Sequence, residues 1–325
     1  MIIPEEFLQS EVREGYYIPA KMKRCWASIL EVLNEISIIC NRHHLKWWMD
    51  WGTMLGVVRH GGFIPWDDDV DISMLREDYE AFLGYAKEEL PAGYKIANVY
   101  NDSDFRDSLT RLVSSGVVKF TEDFLNKNHG MPYVIGVDIM VIDYVPREEE
   151  KCRELCELIE KLHYVAGSIE PERIYKEVPF FHKDIAELEG RLHRSFSRTK
   201  PLSQQLAITE QELMGGVKEE DAEYATMMGA YATRPDFRTV FPKQYYQEFI
   251  MLPFEFIEIP TPLHYDEMLR KVFGNYMTPF RAGGTHDYPM YTQQEEIVMK
   301  EVGNIAWPLY QYQKEIQKDS KEESR

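Results

Sequence analysis

Long apolar runs are missing from the 325 residues, and no stretch is apolar for long enough to cross a bilayer. The opening Met1-Ile2-Ile3-Pro4-Glu5-Glu6 lacks the basic start and apolar run of a secretion signal. Cysteine is scarce: Cys25, Cys40, Cys152 and Cys156 form no zinc-type CxxC pair, and the last two lie one turn apart on a helix-like stretch. All four are expected to be buried, reduced thiols, and together these absences predict a cytoplasmic protein. Positive charge is short as well. Against 55 Asp plus Glu stand 37 Lys plus Arg, a formal net charge of -18. Phosphate backbones and anionic headgroups repel such a surface, which argues against nucleic acid and against attraction to acidic lipid. Metals, nucleotides and a neutral lipid-linked substrate stay open. With 44% hydrophobic residues the chain can build one large or two modest cores.

Periodicity sorts the chain into elements. Between Lys21 and His43 apolar residues recur at three- and four-residue steps, predicting a helix with one buried face. Leu45 to Trp51 reads as a short strand, Gly52-Thr53 begins a helix through Arg59, and residues 60–66 form a loop. In Asp67 to Met74 the second half alternates, with Val70, Ile72 and Met74 on one side of an extended chain and Asp69 and Asp71 on the other. A helix from Glu77 to Leu90 follows. Further strands are expected at Tyr94 to Val99, at Ser108 to Phe120 with a break near Ser115-Gly116, and at Val134 to Val145. This pattern predicts an α/β or α+β core. Residues 147–163, 186–196 and 208–232 read as helical with little strand signal, an expected insertion over 147–234. Aromatic, proline-bearing sequence from Pro235 to Pro262 leads to a helix from Tyr265 to Phe273 and a Gly283-Gly284 loop. The charged tail, 314–325, is expected to fray. No internal repeats are visible.

The chemistry concentrates in Trp66-Asp67-Asp68-Asp69-Val70-Asp71-Ile72, four carboxylates in five positions within an aromatic and apolar setting. An isolated acidic run is commonly a solvated turn, but alternation and aromatic flanks weigh against that here. Carboxylates at i and i+2 of a strand project to one side and suit Mg²⁺ or Mn²⁺ better than zinc. Asp138 interrupts an otherwise buried strand, Ile135 to Asp143, where it would be costly unpaired. Beside Asp69 and Asp71 it completes a three-carboxylate platform for one or two divalent ions and can accept a proton from an attacking hydroxyl. Asp143, at the strand end, is expected to cap or turn the chain. Gly52-Thr53 offers amides and a hydroxyl to a phosphate at a helix N-terminus, with Arg59 as a source of charge and His60 as a donor. A surface Arg over Trp66 and a structural His are the plainer roles of those two.

The run Trp48 to Ile72, read through Gly52-Thr53, Arg59-His60-Gly61-Gly62-Phe63-Ile64-Pro65-Trp66 and Asp69-Val70-Asp71, closely resembles the signature of the LicD family of phosphotransferases. The resemblance extends to Gly136-Val137-Asp138-Ile139, to Asp143-Tyr144-Val145-Pro146 and to Phe273-Gly274-Asn275-Tyr276-Met277-Thr278-Pro279. It implies a nucleotidyltransferase-like mixed sheet core flanked by helices over 1–146 and a C-terminal part over 235–313, whereas the insertion over 147–234 matches no motif of the family and is expected on the acceptor side independently of the resemblance. It also implies a Gly-Ser-like turn at Gly52-Thr53, metal and nucleotide on Asp69 and Asp71, and Asp138 as the third carboxylate. Family members typically transfer phosphocholine from CDP-choline to a sugar hydroxyl of a cell-surface glycan precursor. Eukaryotic relatives transfer other phospho-alcohols such as ribitol phosphate. The expected partners are therefore a CDP-alcohol donor and a glycan acceptor, lipid-linked in many cases, with at most peripheral contact at the inner membrane face. Asn275 stands where the motif commonly reads Asp, and residues 280–286 depart from the usual Pro-rich continuation, so acceptor recognition follows least from the resemblance. Trp47, Trp48, Trp51, Trp66, Tyr276 and Tyr288 could face a quaternary ammonium, although core packing is the commoner role of each. Two other functions fit the same carboxylates: a nucleotidyltransferase adding NMP from an NTP to a small hydroxylated acceptor, and a non-catalytic carbohydrate-binding protein on this fold.

Overall fold

The computed structural model describes residues 1–105 and 108–279, together with Gln294, Ile297, Val298 and Lys300. The expected loop at 283–284, the departure at 280–286, Tyr288 and the tail at 314–325 lie outside these residues.

A short hairpin, β1 (Glu11–Arg13) and β2 (Tyr16–Ile18), leads into α1 (Ala20–His43), whose face from Cys25 and Trp26 through Ile36 and Cys40 is fully buried. The central sheet follows: β3 (Trp48–Met49), α2 (Trp51–His60), β4 (Asp71–Leu75), α3 (Arg76–Glu89), β5 (Lys95–Ala97), β6 (Thr110–Val113), α4 (Glu122–Lys127) and β7 (Gly136–Pro146). The helical stretch holds α5 (Glu149–Ser168), α6 (His182–Leu192) and α7 (Leu202–Met214). The chain then returns through β8 (Ala222–Thr226), α8 (Met228–Thr233), β9 (Phe241–Pro242), the hairpin β10 (Phe249–Phe254) and β11 (Ile257–Pro262), and α9 (Tyr265–Phe273).

The sheet runs β3-β4-β7-β6-β5, with β8 and β9 added along the second half of β7. Only the β4–β7 pair is parallel among the pairs described; the others are antiparallel. This is the mixed sheet flanked by helices expected from the sequence. One face of the sheet, with Ile72 and Met74 on β4, Val137, Ile139 and Val141 on β7 and Leu112 on β6, is buried against α1 and α3. Alternation then puts Asp71, Ser73, Asp138 and Arg111 on the other face.

Two expectations are corrected here. Residues 208–232 are not continuously helical: Ala222–Thr226 is a strand paired with β7, its register running Asp143↔Thr226 to Val145↔Tyr224. The alternation of a five-residue strand is too short to stand out between two helices. The predicted strand from Ser108 also ends at Val113, and residues 122–127 form a helix. The helices α5, α6 and α7 do bury a cluster of their own, with Leu162, Val165, Ile185, Leu188, Leu202 and Leu206 at its centre. All four cysteines are free, but only Cys25 and Cys40 are buried; Cys152 and Cys156 are half-buried on α5. No helix among the described residues is long and apolar enough to cross a membrane.

Glycine is required where α2 meets its exit loop. A Cβ on Gly56 would lie 2.6 Å from the Gly62 carbonyl, a backbone atom that cannot rotate away. Gly56→Ala is therefore expected to lower stability by roughly 1–3 kcal/mol, as overpacking against backbone does, read as a reduced urea midpoint at unchanged m-value.

Candidate active site

Strand β3 is followed by Asp50, whose backbone amide donates to the Asp71 carbonyl at 3.1 Å and whose carboxylate caps α2 by accepting from the Trp51 amide at 2.8 Å. Its second oxygen accepts from Ser73 Oγ at 2.6 Å. Both bonds favour the charged form, yet burial raises the Asp50 carboxyl above its ordinary range. Across the strand, Thr53 Oγ1 accepts from the Asp71 amide at 2.8 Å and so fixes α2 to the start of β4.

The parallel register sets Asp71 directly beside Asp138. Asp71 is half-buried, and its carboxyl is pushed well above the usual carboxylate range, first by loss of solvation and then by the charges of Asp69, Asp138, Asp50 and Asp67. Crowded anions of this kind hold a proton until a cation replaces it. Hard oxygen donors at this density fit Mg²⁺ or Mn²⁺ rather than a soft metal. Among the described residues, the trio whose oxygens come within 4.8 Å of one another is Asp67, Asp68 and Asp69. Asp69 lies in the loop before β4 rather than on the strand, and the expected trio of Asp69, Asp71 and Asp138 does not come within that distance; Asp69 acts on Asp71 through its charge.

Asp138 is engaged on its other side. Arg111, its register partner on β6, donates from Nε and Nη2 to both carboxylate oxygens, at 2.5 and 2.6 Å. Gly52 lies against Asp67: a Cβ there would sit 3.3 Å from the Asp67 Oδ2.

The structure does not bring Arg59 and His60 to Gly52 and Thr53. They occupy the far end of α2, roughly 10 Å of helix away at 1.5 Å per residue. Arg59 donates to His60 Nε2 at 2.8 Å and to the Tyr276 carbonyl at 3.1 Å, and His60 Nδ1 pairs with Glu14 at 2.8 Å. Burial lowers both pKa values; Arg59 lowers that of His60 further, and Glu14 opposes. In the described geometry these two residues join the N-terminal hairpin and the segment after α9 to α2. Asp143 is corrected too: instead of capping the strand, it receives a two-pronged bond from Arg76 at 2.8 and 2.8 Å in the interior.

Sequence reasoning did not single out Asp50, Ser73 or Arg111. Asp50 carried a usable signal, an acidic residue between a strand and a helix start. Asp50 also borders a narrow, mostly apolar recess of about 30 Å³, room for little more than a water molecule, lined by Trp51, Phe241, Tyr246, Met268 and Phe273 among others. Of the aromatic residues expected to face a cation, Trp51 lines this recess. Trp48 is fully buried against Tyr246 and Phe249, Trp66 sits edge-on to Tyr16, and Tyr276 donates to Asp266.

Comparison with known proteins places a family on this framework. Residues 44–123 match the model described as LicD/FKTN/FKRP, nucleotidyltransferase domain. The lipopolysaccharide cholinephosphotransferase LicD of Haemophilus influenzae is 25% identical over 253 residues, covering 76% of this chain and 88% of that protein. An uncharacterised protein of Rickettsia typhi is 35% identical over 69 residues, 21% of this chain and 22% of its own. The human ribitol 5-phosphate transferase FKRP is 33% identical over 54 residues, 17% of this chain and 11% of its own. The resemblance to the LicD family is borne out, and the matched domain contains Asp50, the run Asp67 to Asp71, and Arg111.

Proposed function

We propose, from the LicD-type domain over 44–123 and the carboxylates gathered at Asp71, that this chain is a phosphotransferase moving a phospho-alcohol to a sugar hydroxyl. The donor in this reading is CDP-choline, and the acceptor is a cell-surface glycan or its lipid-linked precursor. The reaction would take place in the cytoplasm or at the inner membrane face. The single observation that carries the reading is the side-by-side register of Asp71 and Asp138, with Asp69, Asp50 and Asp67 adding charge around Asp71.

Asp69, Asp71 and Asp138 would hold Mg²⁺ or Mn²⁺, which when bound neutralises the diphosphate and stabilises the departing CMP. The acceptor hydroxyl attacks the phosphocholine phosphorus, the bond from that phosphorus to the CMP oxygen breaks, and Asp138 takes the hydroxyl proton. Gly52, lacking a side chain at the start of α2, lets the Asp67 carboxylate pack close to the helix start, and Thr53 orients Asp71 through its amide. Choline is preferred over ribitol because the relative matched over most of both chains is a cholinephosphotransferase.

Incubating the chain with CDP-choline, Mg²⁺ and a glycan acceptor should release CMP, with loss of release in EDTA. CDP-ribitol should turn over more slowly. Consumption of ATP or CTP with pyrophosphate release would instead mark a nucleotidyltransferase, and absence of any Mg²⁺-dependent donor turnover would mark a binding protein. In thermal unfolding, CDP-choline plus Mg²⁺ at a hundred times its Kd should stabilise the chain by about 2.7 kcal/mol.

A further inference from the structure

Arg111, Asp138 and Asp71 stand abreast on β6, β7 and β4, on the sheet face opposite the one buried by α1 and α3. The Arg111 fork grips both oxygens of Asp138, although the side chain is 44% exposed. The arginine side of the pair is open to water, so a second anion can reach the guanidinium and compete with Asp138 for it. A phosphoryl group offers the same two-oxygen geometry, and arginine matches it with both prongs.

We infer that Arg111 is a donor-binding residue that exchanges the Asp138 carboxylate for the donor's diphosphate. The inference rests on the phosphotransferase reading and names a residue of that same site. Before the donor arrives, Arg111 supplies positive charge to a face crowded with carboxylates. When the donor binds, the fork turns to its phosphoryl oxygens, and both oxygens of Asp138 become available to a divalent cation or to the acceptor's proton. One residue thereby couples donor arrival to the release of the third carboxylate.

The exchange predicts opposite effects on two ligands, which loss of structure alone would not produce. Calorimetry on wild type, Arg111→Gln and Arg111→Lys would use Mn²⁺ alone, then inorganic pyrophosphate at saturating Mn²⁺. Arg111→Gln should bind Mn²⁺ alone more tightly than wild type, because the competitor for Asp138 is gone. It should bind pyrophosphate roughly tenfold or more weakly, the worth of a charge-assisted bond. Arg111→Lys, which keeps the charge without the fork, should fall between. Equal weakening of both ligands, unchanged pyrophosphate affinity, or weaker Mn²⁺ binding in Arg111→Gln would overturn the exchange. If wild type binds both probes and only the variant pattern fails, the phosphotransferase reading survives. If wild type binds neither, both fall.

Discussion

Replacing Asp71 with Asn is expected to reduce CMP release about a thousandfold or more while making the metal-free protein more stable, not less. The two effects share one cause. Asp71 is half-buried among Asp69, Asp138, Asp50 and Asp67, so its charge is unfavourable until a cation arrives. Asn keeps the shape and removes the charge, relieving repulsion in the metal-free state, but it gives up an anionic ligand when the donor and metal are bound. The sign extends to pH. A carboxyl raised in the folded state holds its proton to a higher pH than in the unfolded chain. Its contribution to stability therefore declines as pH rises from the ordinary carboxylate range, about 4, to the raised value. Urea midpoints of the metal-free protein should show that declining arm. It should flatten in Asp71→Asn and in wild type saturated with Mg²⁺.

Arg76→Met is expected to lower stability by about 3–5 kcal/mol without touching the carboxylate face. Arg76 lies at the start of α3, 7% exposed, and Asp143 on β7 is 2% exposed. Burial opposes the charge on Arg76, but the bonds to Asp143 and its charge more than restore it, so its pKa is raised. Arg76 also donates to Gln211 on α7 at 3.1 Å, which ties the helical stretch to the sheet. Methionine would leave a carboxylate in the interior with no cation. Arg76→Met combined with Asp143→Leu should recover most of the loss, since an apolar pair of similar volume carries no desolvation penalty. Acidification should narrow the gap between Arg76→Met and wild type as the stranded Asp143 takes up a proton. Denaturant midpoints of wild type and the two variants at two pH values check all of this.

What the sequence disclosed follows from how far each signal reaches along the chain. Local periodicity located α1 to within a residue of its start, and α9 at both ends, because an amphipathic helix declares itself within a few turns. The alternation around Asp71 and the apolar strand around Asp138 likewise placed both residues on sheet strands. Their adjacency depended on the β4–β7 pairing between segments more than sixty residues apart, which no local pattern encodes. Arg111 was invisible for the same reason: in sequence it is one arginine in a strand, and only the register with β7 brings it to Asp138. Arg59 and His60 show the converse error. They follow Thr53 by six and seven residues, and helical rise carries them to the opposite end of α2, where Tyr276 and Glu14 engage them. Strand β8 escaped because five residues of weak alternation between helices carry too little pattern to outweigh their surroundings.

The central claim is that Asp71 and Asp138, with Asp69, grip a divalent cation on the donor's diphosphate. Anomalous scattering from crystals soaked with Mn²⁺ and CDP-choline tests it most directly. The account predicts a manganese peak in contact with Asp71 and Asp138, with the diphosphate against it and Arg111 turned away from Asp138. A peak held only by Asp67 and Asp68, or no peak while Arg111 still grips both oxygens of Asp138, would contradict it.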